Sequence, residues 1–224
     1  MQKRKIIIGN YDTALNGLWT LSGWELGVAE MDEEYVKVPG RNGLLDFSTV
    51  LTDGEPCYGN RSLVVVLESS EGNRLEREAR IDEMMNELDG FKLNIILPDD
   101  PTRYLTGRVR VKKLYNDPAH CSVEVTATCE PWRYNLAETV VGLQASSAVQ
   151  TVSIINNGRL AVVPTITVAG GSVLLNFEVD GGTVSEALSV GTYVLPDLYL
   201  RRGVKPLRYS GDGTALLTYR EAVL

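Results

Sequence analysis

Residues 119–130 read Ala-His-Cys-Ser-Val-Glu-Val-Thr-Ala-Thr-Cys-Glu, the most regular alternation of apolar and polar residues in the chain. From Cys121 to Cys129 every odd position is cysteine, valine or alanine, while the even positions from Ser122 to Glu130 are polar. Successive side chains of a β-strand point to opposite faces of its sheet. The pattern therefore predicts a half-buried strand with both cysteines in the core, and a protein built mainly from β-sheet.

Other segments of the first half carry related strand patterns. A continuous apolar run at Leu63–Leu67 predicts a strand that is buried on both faces. Further strands are predicted, in chain order, at Glu34–Val38, Leu44–Val50, Phe91–Leu97 and Arg108–Leu114.

One helix of useful length is predicted, at about residues 74–89. Asn73 can cap its first turn while Glu76 reaches back to the cap, and Gly90 stands where a helix commonly ends. An apolar stripe runs along it, made of Leu75, Ala79, Ile81, Met84, Met85 and Leu88. We expect this stripe to pack on the sheet of its own domain rather than to bind a partner.

The composition changes near residue 135. Residues 1–134 contain 16 Lys/Arg and 22 Asp/Glu, whereas residues 135–224 contain 6 and 7, so the charged fraction halves. In the second part, short strands are predicted between turn signals at residues 156–158, 170–171, 180–182 and 211–213. We therefore predict two domains: residues 1–134, mainly β with the one α-helix, and residues 135–224, a small β-sandwich.

Charge and cysteine content restrict the function. The net charge is −7 and no block of basic residues occurs, which argues against tight, sequence-independent binding of nucleic acid. No apolar stretch approaches the roughly 20 residues of a membrane helix, so we expect a soluble protein made in the cytoplasm, with no membrane partner. Cys121 and Cys129 should lie about 26 Å apart on one strand, too far for a disulfide.

No constellation of residues predicts catalysis. His120 is the only histidine, so any histidine-based nucleophile would depend on it, and its place after the turn at residues 116–118 favours a surface position. The carboxylates at Glu30–Glu34 and Asp99-Asp100 are neighbours in loops, which rarely face each other across a cleft. We expect no enzyme, no cofactor and no metal site; a hydrolase that uses the acidic cluster is the least favoured hypothesis.

The segment Val38–Ser48 reads Val-Pro-Gly-Arg-Asn-Gly-Leu-Leu-Asp-Phe-Ser. Pro39 and Gly40 suit the two central positions of a type II turn, and Asn42-Gly43 tolerates positive φ. An ordinary hairpin turn accounts for these residues.

A turn alone does not require the charged residues Arg41 and Asp46, or Arg61 further along the chain. A planar arginine–carboxylate pair could fix this loop, or it could join the loop to a neighbouring subunit.

Together with other segments, this loop resembles the signature of the distal tail proteins of long-tailed bacteriophages, which form the baseplate hub of siphophages and related prophages. The order of the segments carries the resemblance, and it covers nearly the whole chain: Val38–Ser48, Tyr58–Arg61, Pro98–Arg108, Pro131–Tyr134, Asn157-Gly158, Val163–Ile166 and Leu217–Leu224.

The resemblance implies a structural role in the tail tip of a virion. In that family the N-terminal domain forms a ring, typically a homo-hexamer, around a channel through which the tape measure protein and then DNA pass. One ring face meets the tail tube protein and the other the tail-associated hub protein. The C-terminal domain is a galectin-like β-sandwich that in some relatives helps to anchor receptor-binding proteins.

For this chain the resemblance implies that DNA passes without specific binding, and that the motif residues serve assembly. These candidate assembly residues are Pro39, Gly40, Arg41, Gly43, Asp46, Asn60 and Arg61.

An alternative from another class is a carbohydrate-binding β-sandwich that recognises the host surface. Such a module needs aromatic and polar side chains exposed on one face of the sandwich. Residues 135–224 contain no tryptophan, and several of their aromatic residues occupy core-facing positions: Phe177, Tyr193, Tyr199, Tyr209 and Tyr219 are the whole set. The structural role is therefore the favoured prediction.

Overall fold

The computed structural model describes residues 5–16, 18–52, 54–179 and 181–224. The chain divides into two compact units, residues 1–133 and 134–224, and each has a buried hydrophobic core of its own. Among the described residues no helix is both long and apolar enough to cross a membrane. Asp180, which opens one of the predicted turns, lies outside the described residues.

The first unit consists of an antiparallel sheet, a separate two-stranded ribbon and two helices. Its elements are β1 (Ile7–Ile8), β2 (Tyr11–Asp12), α1 (Thr13–Asn16), β3 (Thr20–Leu26), β4 (Tyr35–Lys37), β5 (Leu44–Asp46), β6 (Arg61–Ser69), α2 (Arg74–Leu88), β7 (Lys92–Ile96), β8 (Arg103–Asn116) and β9 (Cys121–Asn135). Neighbours in the sheet follow the order β2-β1-β7-β8-β9-β6-β3, and β4 and β5 form the ribbon.

Strand β9 confirms the alternation that predicted it. Its five odd-numbered side chains from Cys121 to Cys129 are at most 5% exposed. Antiparallel pairing sets Ser69 of β6 opposite Cys121, and Arg61 opposite Cys129. Burial raises the pKa of the Cys129 thiol to about 11, so this thiol stays protonated at neutral pH.

Strand β6 differs from its prediction on one face. Leu63, Val65 and Leu67 are buried in the core shared with β9, but Val64 and Val66 on the opposite face are only half-buried. The prediction that both faces are buried is therefore wrong. An unbroken apolar run does not reveal whether a second layer covers the sheet.

The predicted helix is confirmed as α2, including its ends. The Glu76 amide donates to Asn73 Oδ1 at 3.0 Å and the Asn73 amide donates to Glu76 Oε2 at 3.1 Å. Gly90 follows the helix with φ +84°, a conformation that glycine adopts without steric cost. The much shorter α1 was not predicted, because four residues are too few to show a helical period.

The buried face of α2 is rotated from the predicted stripe. The buried residues are Arg77, Ile81, Met84 and Leu88, whereas Leu75 is 82% exposed. Arg77 can be buried because backbone carbonyls take the place of water as hydrogen-bond acceptors for its guanidinium. It donates to Gly72 O at 2.6 Å and to Asp117 O at 2.7 Å. This arginine therefore ties the start of α2 to the β8–β9 turn.

The second unit is a sandwich of two four-stranded antiparallel sheets, as predicted. Its strands are β10 (Thr139–Gln144), β11 (Gln150–Asn156), β12 (Thr165–Ala169), β13 (Val173–Val179), β14 (Gly182–Leu188), β15 (Gly191–Val194), β16 (Gly203–Gly211), β17 (Thr214–Tyr219) and the short β18 (Ala222–Val223). One sheet has the order β10-β17-β12-β15 and the other β11-β16-β13-β14. A single core joins them, with Ile166 and Leu217 from the first sheet and Leu175 and Leu207 from the second.

Candidate assembly site

Residues 28–60 leave the sheet of the first unit between β3 and β6 and are called the arm here. At its root, the Gly27 amide donates to Ser62 O at 2.7 Å. Farther out, Met31 and Tyr58 form an isolated antiparallel bridge, and the Gly59 amide donates to Glu30 O at 2.8 Å. The arm therefore begins and ends as a paired double strand.

The ribbon β4–β5 carries the predicted turn. Tyr35 lies opposite Asp46 and Lys37 opposite Leu44, and between them the Arg41 amide donates to Val38 O at 3.2 Å. Gly40 has φ +79°, so Pro39 and Gly40 occupy the central positions of a turn with the type II pattern. A Cβ on Gly40 would meet no atom within 4 Å, so backbone conformation rather than crowding requires glycine.

Gly43 also has a positive φ, of +81°, where the chain enters β5. The predicted strand Leu44–Val50 ends earlier than expected, at Asp46. The Ser48 amide donates to Asp46 Oδ1 at 2.9 Å, and the Val50 amide donates to Phe47 O at 3.1 Å. A carboxylate that accepts from the amide two residues later turns the backbone out of the strand.

Asp46 organises the end of the ribbon. Hydrogen bonds from the Ser48 hydroxyl and amide hold the pKa of this carboxyl below its usual value. Ser48 in turn accepts from the Glu34 amide at 2.8 Å through its Oγ. Through Ser48, Asp46 thus holds the residue before β4 beside the residues that follow β5.

Arg41 does not pair with Asp46 within the chain. Its side chain is exposed and forms no ion pair with any residue that the structure describes. An arginine–carboxylate pair between Arg41 and Asp46 therefore does not fix the loop. That Arg41 joins the loop to a neighbouring subunit stays a prediction.

Arg61 lies at the root of the arm rather than at its tip. Its Nε donates to Gly27 O at 2.9 Å, and one terminal nitrogen donates to Pro131 O at 3.3 Å. Desolvation lowers the pKa of the guanidinium, and the nearby charge of Arg133 lowers it further. Arg61 connects the ends of β3 and β6 to β9, and Asn60 lies exposed beside it.

Three of the segments that carried the family resemblance meet in the first unit. Besides the contact of Arg61 with Pro131, the ring of Tyr58 lies edge-on to that of Trp132 at 5.7 Å. Asp100 forms ion pairs with Arg103 at 3.1 Å and with Arg133 at 3.5 Å. Separate pieces of the sequence motif therefore form one set of contacts at the root of the arm.

Two further segments meet inside the second unit. The Asn157 amide donates to Glu221 Oε1 at 3.0 Å, and the Arg159 amide donates to Ala222 O at 2.8 Å. A Cβ on Gly158 would come within 2.7 Å of Ala222 backbone atoms. These contacts join the loop after β11 to the end of the chain.

The arm has no core of its own. None of its described residues is buried, and it exposes large apolar side chains, of which Leu51 at 94% is the most exposed; the others are Val28, Tyr35, Val36, Leu44, Phe47 and Val50. A segment that exposes several large apolar side chains and buries none of its described residues is a candidate interaction site. The sequence patterns predicted the two strands and their turn, but not that the whole segment leaves the sheet. The signal that could have revealed this is that a two-stranded hairpin on its own is only marginally stable in water.

The residues considered for chemistry lie on different segments: His120 in the turn between β8 and β9, Asp99 and Asp100 after β7, and Glu30–Glu34 in the arm. His120 lies on the surface with its Nδ1 at 3.3 Å from Asp117 Oδ1. Among the described residues, no group of three or more His, Cys, Asp or Glu side chains could hold a metal ion. The carboxylate of Asp100 is held by Thr102 and Arg103.

Four of the five aromatic residues in 135–224 belong to the core of the sandwich or pack against it. Phe177 and Tyr219 are buried, and Tyr193 and Tyr209 pack against the same core. Tyr199 is the fifth, and its ring is covered by Lys205 Nζ at 4.8 Å and the Arg201 guanidinium at 5.3 Å. These contacts favour a structural role for the aromatic side chains over a stacking platform for sugar.

No protein-family model and no curated protein sequence matches the chain. Among solved structures, the chain is similar to the Dit protein (gp 19.1) of phage SPP1, described as a paradigm of the hub adsorption apparatus in phages that infect Gram-positive bacteria. The TM-score is 0.68, with 15% sequence identity over 98% of this chain and 99% of that one. The chain therefore has the fold of a phage Dit protein, and the fold that the sequence resemblance implied is confirmed.

Proposed function

We propose that this protein is a structural hub of a phage tail tip, in which copies of the chain associate through their N-terminal units into a ring. The observation that carries this proposal is the arm, which exposes a run of large apolar side chains and has no buried residue among those described. The ordered sequence resemblance to distal tail proteins and the fold shared with SPP1 Dit support the same role.

The proposed assembly is a homo-hexamer built head to tail. Such contacts close into a ring only when the rotation between successive subunits fits. The tape measure protein and then DNA pass through the central channel; one ring face binds the tail tube protein, and the other binds the tail-associated hub protein. The second unit is available to receptor-binding proteins, and the role in the virion is mechanical rather than catalytic.

Native mass spectrometry and negative-stain imaging of the purified chain test this proposal. We expect particles of six times the 24.6 kDa subunit mass and ring-shaped images. A chain that remains a monomer at the highest attainable concentration would rule the proposal out.

A shortened variant separates association from folding. Replacing residues 32–57 with a short glycine–serine turn removes the outer arm but leaves the Met31–Tyr58 bridge in place. Because no described residue of the arm is buried, we expect this variant to keep the melting temperature of the monomer and to lose assembly. Rings with the normal number of copies from the shortened chain would show that the arm does not hold the subunits together.

A further inference from the structure

The arm is acidic as well as apolar. Its sequence contains seven Asp/Glu and two Lys/Arg. Three of these carboxylates, in Asp32, Glu33 and Glu34, line an open hollow of about 410 Å³ together with the apolar side chains of Phe47 and Leu51. The arm therefore presents negative charge beside exposed apolar surface.

The sheet of the same unit carries a basic groove of about 680 Å³. Lys92, Arg108 and Arg110 line it together with one carboxylate, that of Glu130, and the neutral side chains Asn60, Thr106 and Thr128. Lys92 and Arg108 lie directly opposite each other on β7 and β8. Like charges in directly opposed positions of an antiparallel pair are destabilising, so this arrangement concentrates positive charge at a cost to the isolated unit.

The groove is only partly neutralised within the chain. Lys92 Nζ lies 2.6 Å from Glu130 Oε1, and Arg110 lies 3.5 Å from Asp89 Oδ2. Arg108 donates to the carbonyl of Gly90 at 2.6 Å, an uncharged acceptor. The lining thus keeps an excess of positive charge.

We infer that the acidic arm of one copy docks in the basic groove of a second copy of this chain. The inference rests on the proposed ring, and it names the surface that receives the arm. Complementary charge sets which surfaces meet and in which register, while the exposed apolar side chains of the arm supply the area removed from water. Each copy offers one arm and one groove, which is the arrangement a head-to-tail ring requires.

Charge reversal tests this pairing in the full-length chain. We expect Glu33→Lys/Glu34→Lys (arm reversed) and Arg108→Glu/Arg110→Glu (groove reversed) each to weaken assembly at least about tenfold by native mass spectrometry. The control Arg202→Glu/Arg208→Glu changes the net charge as the groove variant does, but in exposed residues of the second unit, and it should assemble normally. Melting temperatures show whether each variant is folded.

Two recombinations make the test specific. A chain with all four reversals carries two lysines on the arm, at positions 33 and 34, and two glutamates in the groove, at positions 108 and 110, so the exchanged charges attract again and it should recover assembly. An equimolar mixture of the two reversed chains should also assemble, because in an alternating ring each arm meets a groove of opposite charge. Only rings with an even number of copies can alternate in this way, as a hexamer does.

The outcomes distinguish this inference from the proposed function. If the native chain assembles and the groove-reversed chain assembles equally well, the groove is not the docking surface, although the ring stands. The pairing would also be overturned if the chain with all four reversals and the mixture of the two reversed chains both failed to assemble while every chain involved was folded. If the groove-reversed chain forms rings but only the native chain retards a DNA fragment, the groove serves a polyanion instead. A native chain that never assembles would end both proposals.

Discussion

The arm and the β8–β9 hairpin are both antiparallel pairs in the first unit, and they differ in what covers them. β9 buries its apolar side chains in a core that it shares with β6. The arm is held by its turns, the β4–β5 pairing, the bridge at Met31–Tyr58 and the contacts at its root, and none of its described residues is buried. The comparison teaches that strand pairing and strand burial are separate properties: one hairpin stabilises the fold, and we propose that the other stabilises an assembly.

Truncating a leucine in each region should give the largest contrast. Leu67→Ala creates a cavity in the buried face of β6 and should lower the free energy of unfolding by about 2–5 kcal/mol. Leu51→Ala at the exposed arm should change it by less than about 0.5 kcal/mol while weakening assembly. Tryptophan fluorescence during denaturation measures both, because all three tryptophans lie in the first unit. Equal losses would contradict the distinction.

The root of the arm should show an intermediate effect. Arg61→Ala removes the donors to Gly27 O and Pro131 O, and we expect a loss of about 1–3 kcal/mol in unfolding free energy together with weaker assembly. Arg61→Lys is the control, since an ammonium keeps the charge but not the planar fork of donors. Full recovery by lysine would show that charge, rather than the two-carbonyl contact, holds the root.

The turn in the ribbon should show a smaller and local effect. Gly40→Ala places a Cβ at φ +79°, at a cost of about 1 kcal/mol, which corresponds to roughly a fivefold loss of arm order and of assembly affinity. Gly23→Ala is the matched control, because a Cβ there also meets nothing within 4 Å and that glycine has no positive φ. Hydrogen exchange at the Arg41 amide measures the turn; equal exchange in both variants would remove the conformational argument.

Arg41→Ala and Asp46→Ala should each weaken assembly more than they lower folding stability. Arg41 has no partner among the described residues, so its loss should leave the melting temperature unchanged and weaken the ring several-fold, as expected for an exposed charge that pairs across an interface. For either variant, a fall in melting temperature as large as the loss of assembly would assign the residue a folding role.

The smallest effect is a dependence on pH at Asp46. The folded chain lowers the pKa of this carboxyl below its usual 3.8. A lowered pKa means that the contribution to turn stability is complete above about pH 4 and is lost as pH falls through the folded-state value. NMR titration of the carboxyl, with Asp46→Asn as the reference, should give a midpoint below 3.8. A midpoint at or above that value would show that the Ser48 hydrogen bonds do not persist in solution.

Local sequence patterns determined much of the fold. The alternation at residues 119–130 placed β9 and its buried cysteines, the Asn73–Glu76 pair and Gly90 placed both ends of α2, and Pro39-Gly40 placed the turn of the ribbon. Each of these features depends on interactions between residues a few positions apart, so the local sequence is enough to predict it. The two-sheet sandwich followed in the same way from strands punctuated by turn residues.

Only the tertiary structure decided which of these elements are covered. The ribbon strands Tyr35–Lys37 and Leu44–Asp46 carry apolar residues much as the core strands do, and nothing local distinguishes a strand that meets a core from one that extends beyond it. The same holds for Arg77, whose burial depends on carbonyls about 40 residues away, and for Arg61, whose partners lie at Gly27 and Pro131. Burial and long-range pairing depend on contacts between distant segments, and those contacts exist only once the chain has folded.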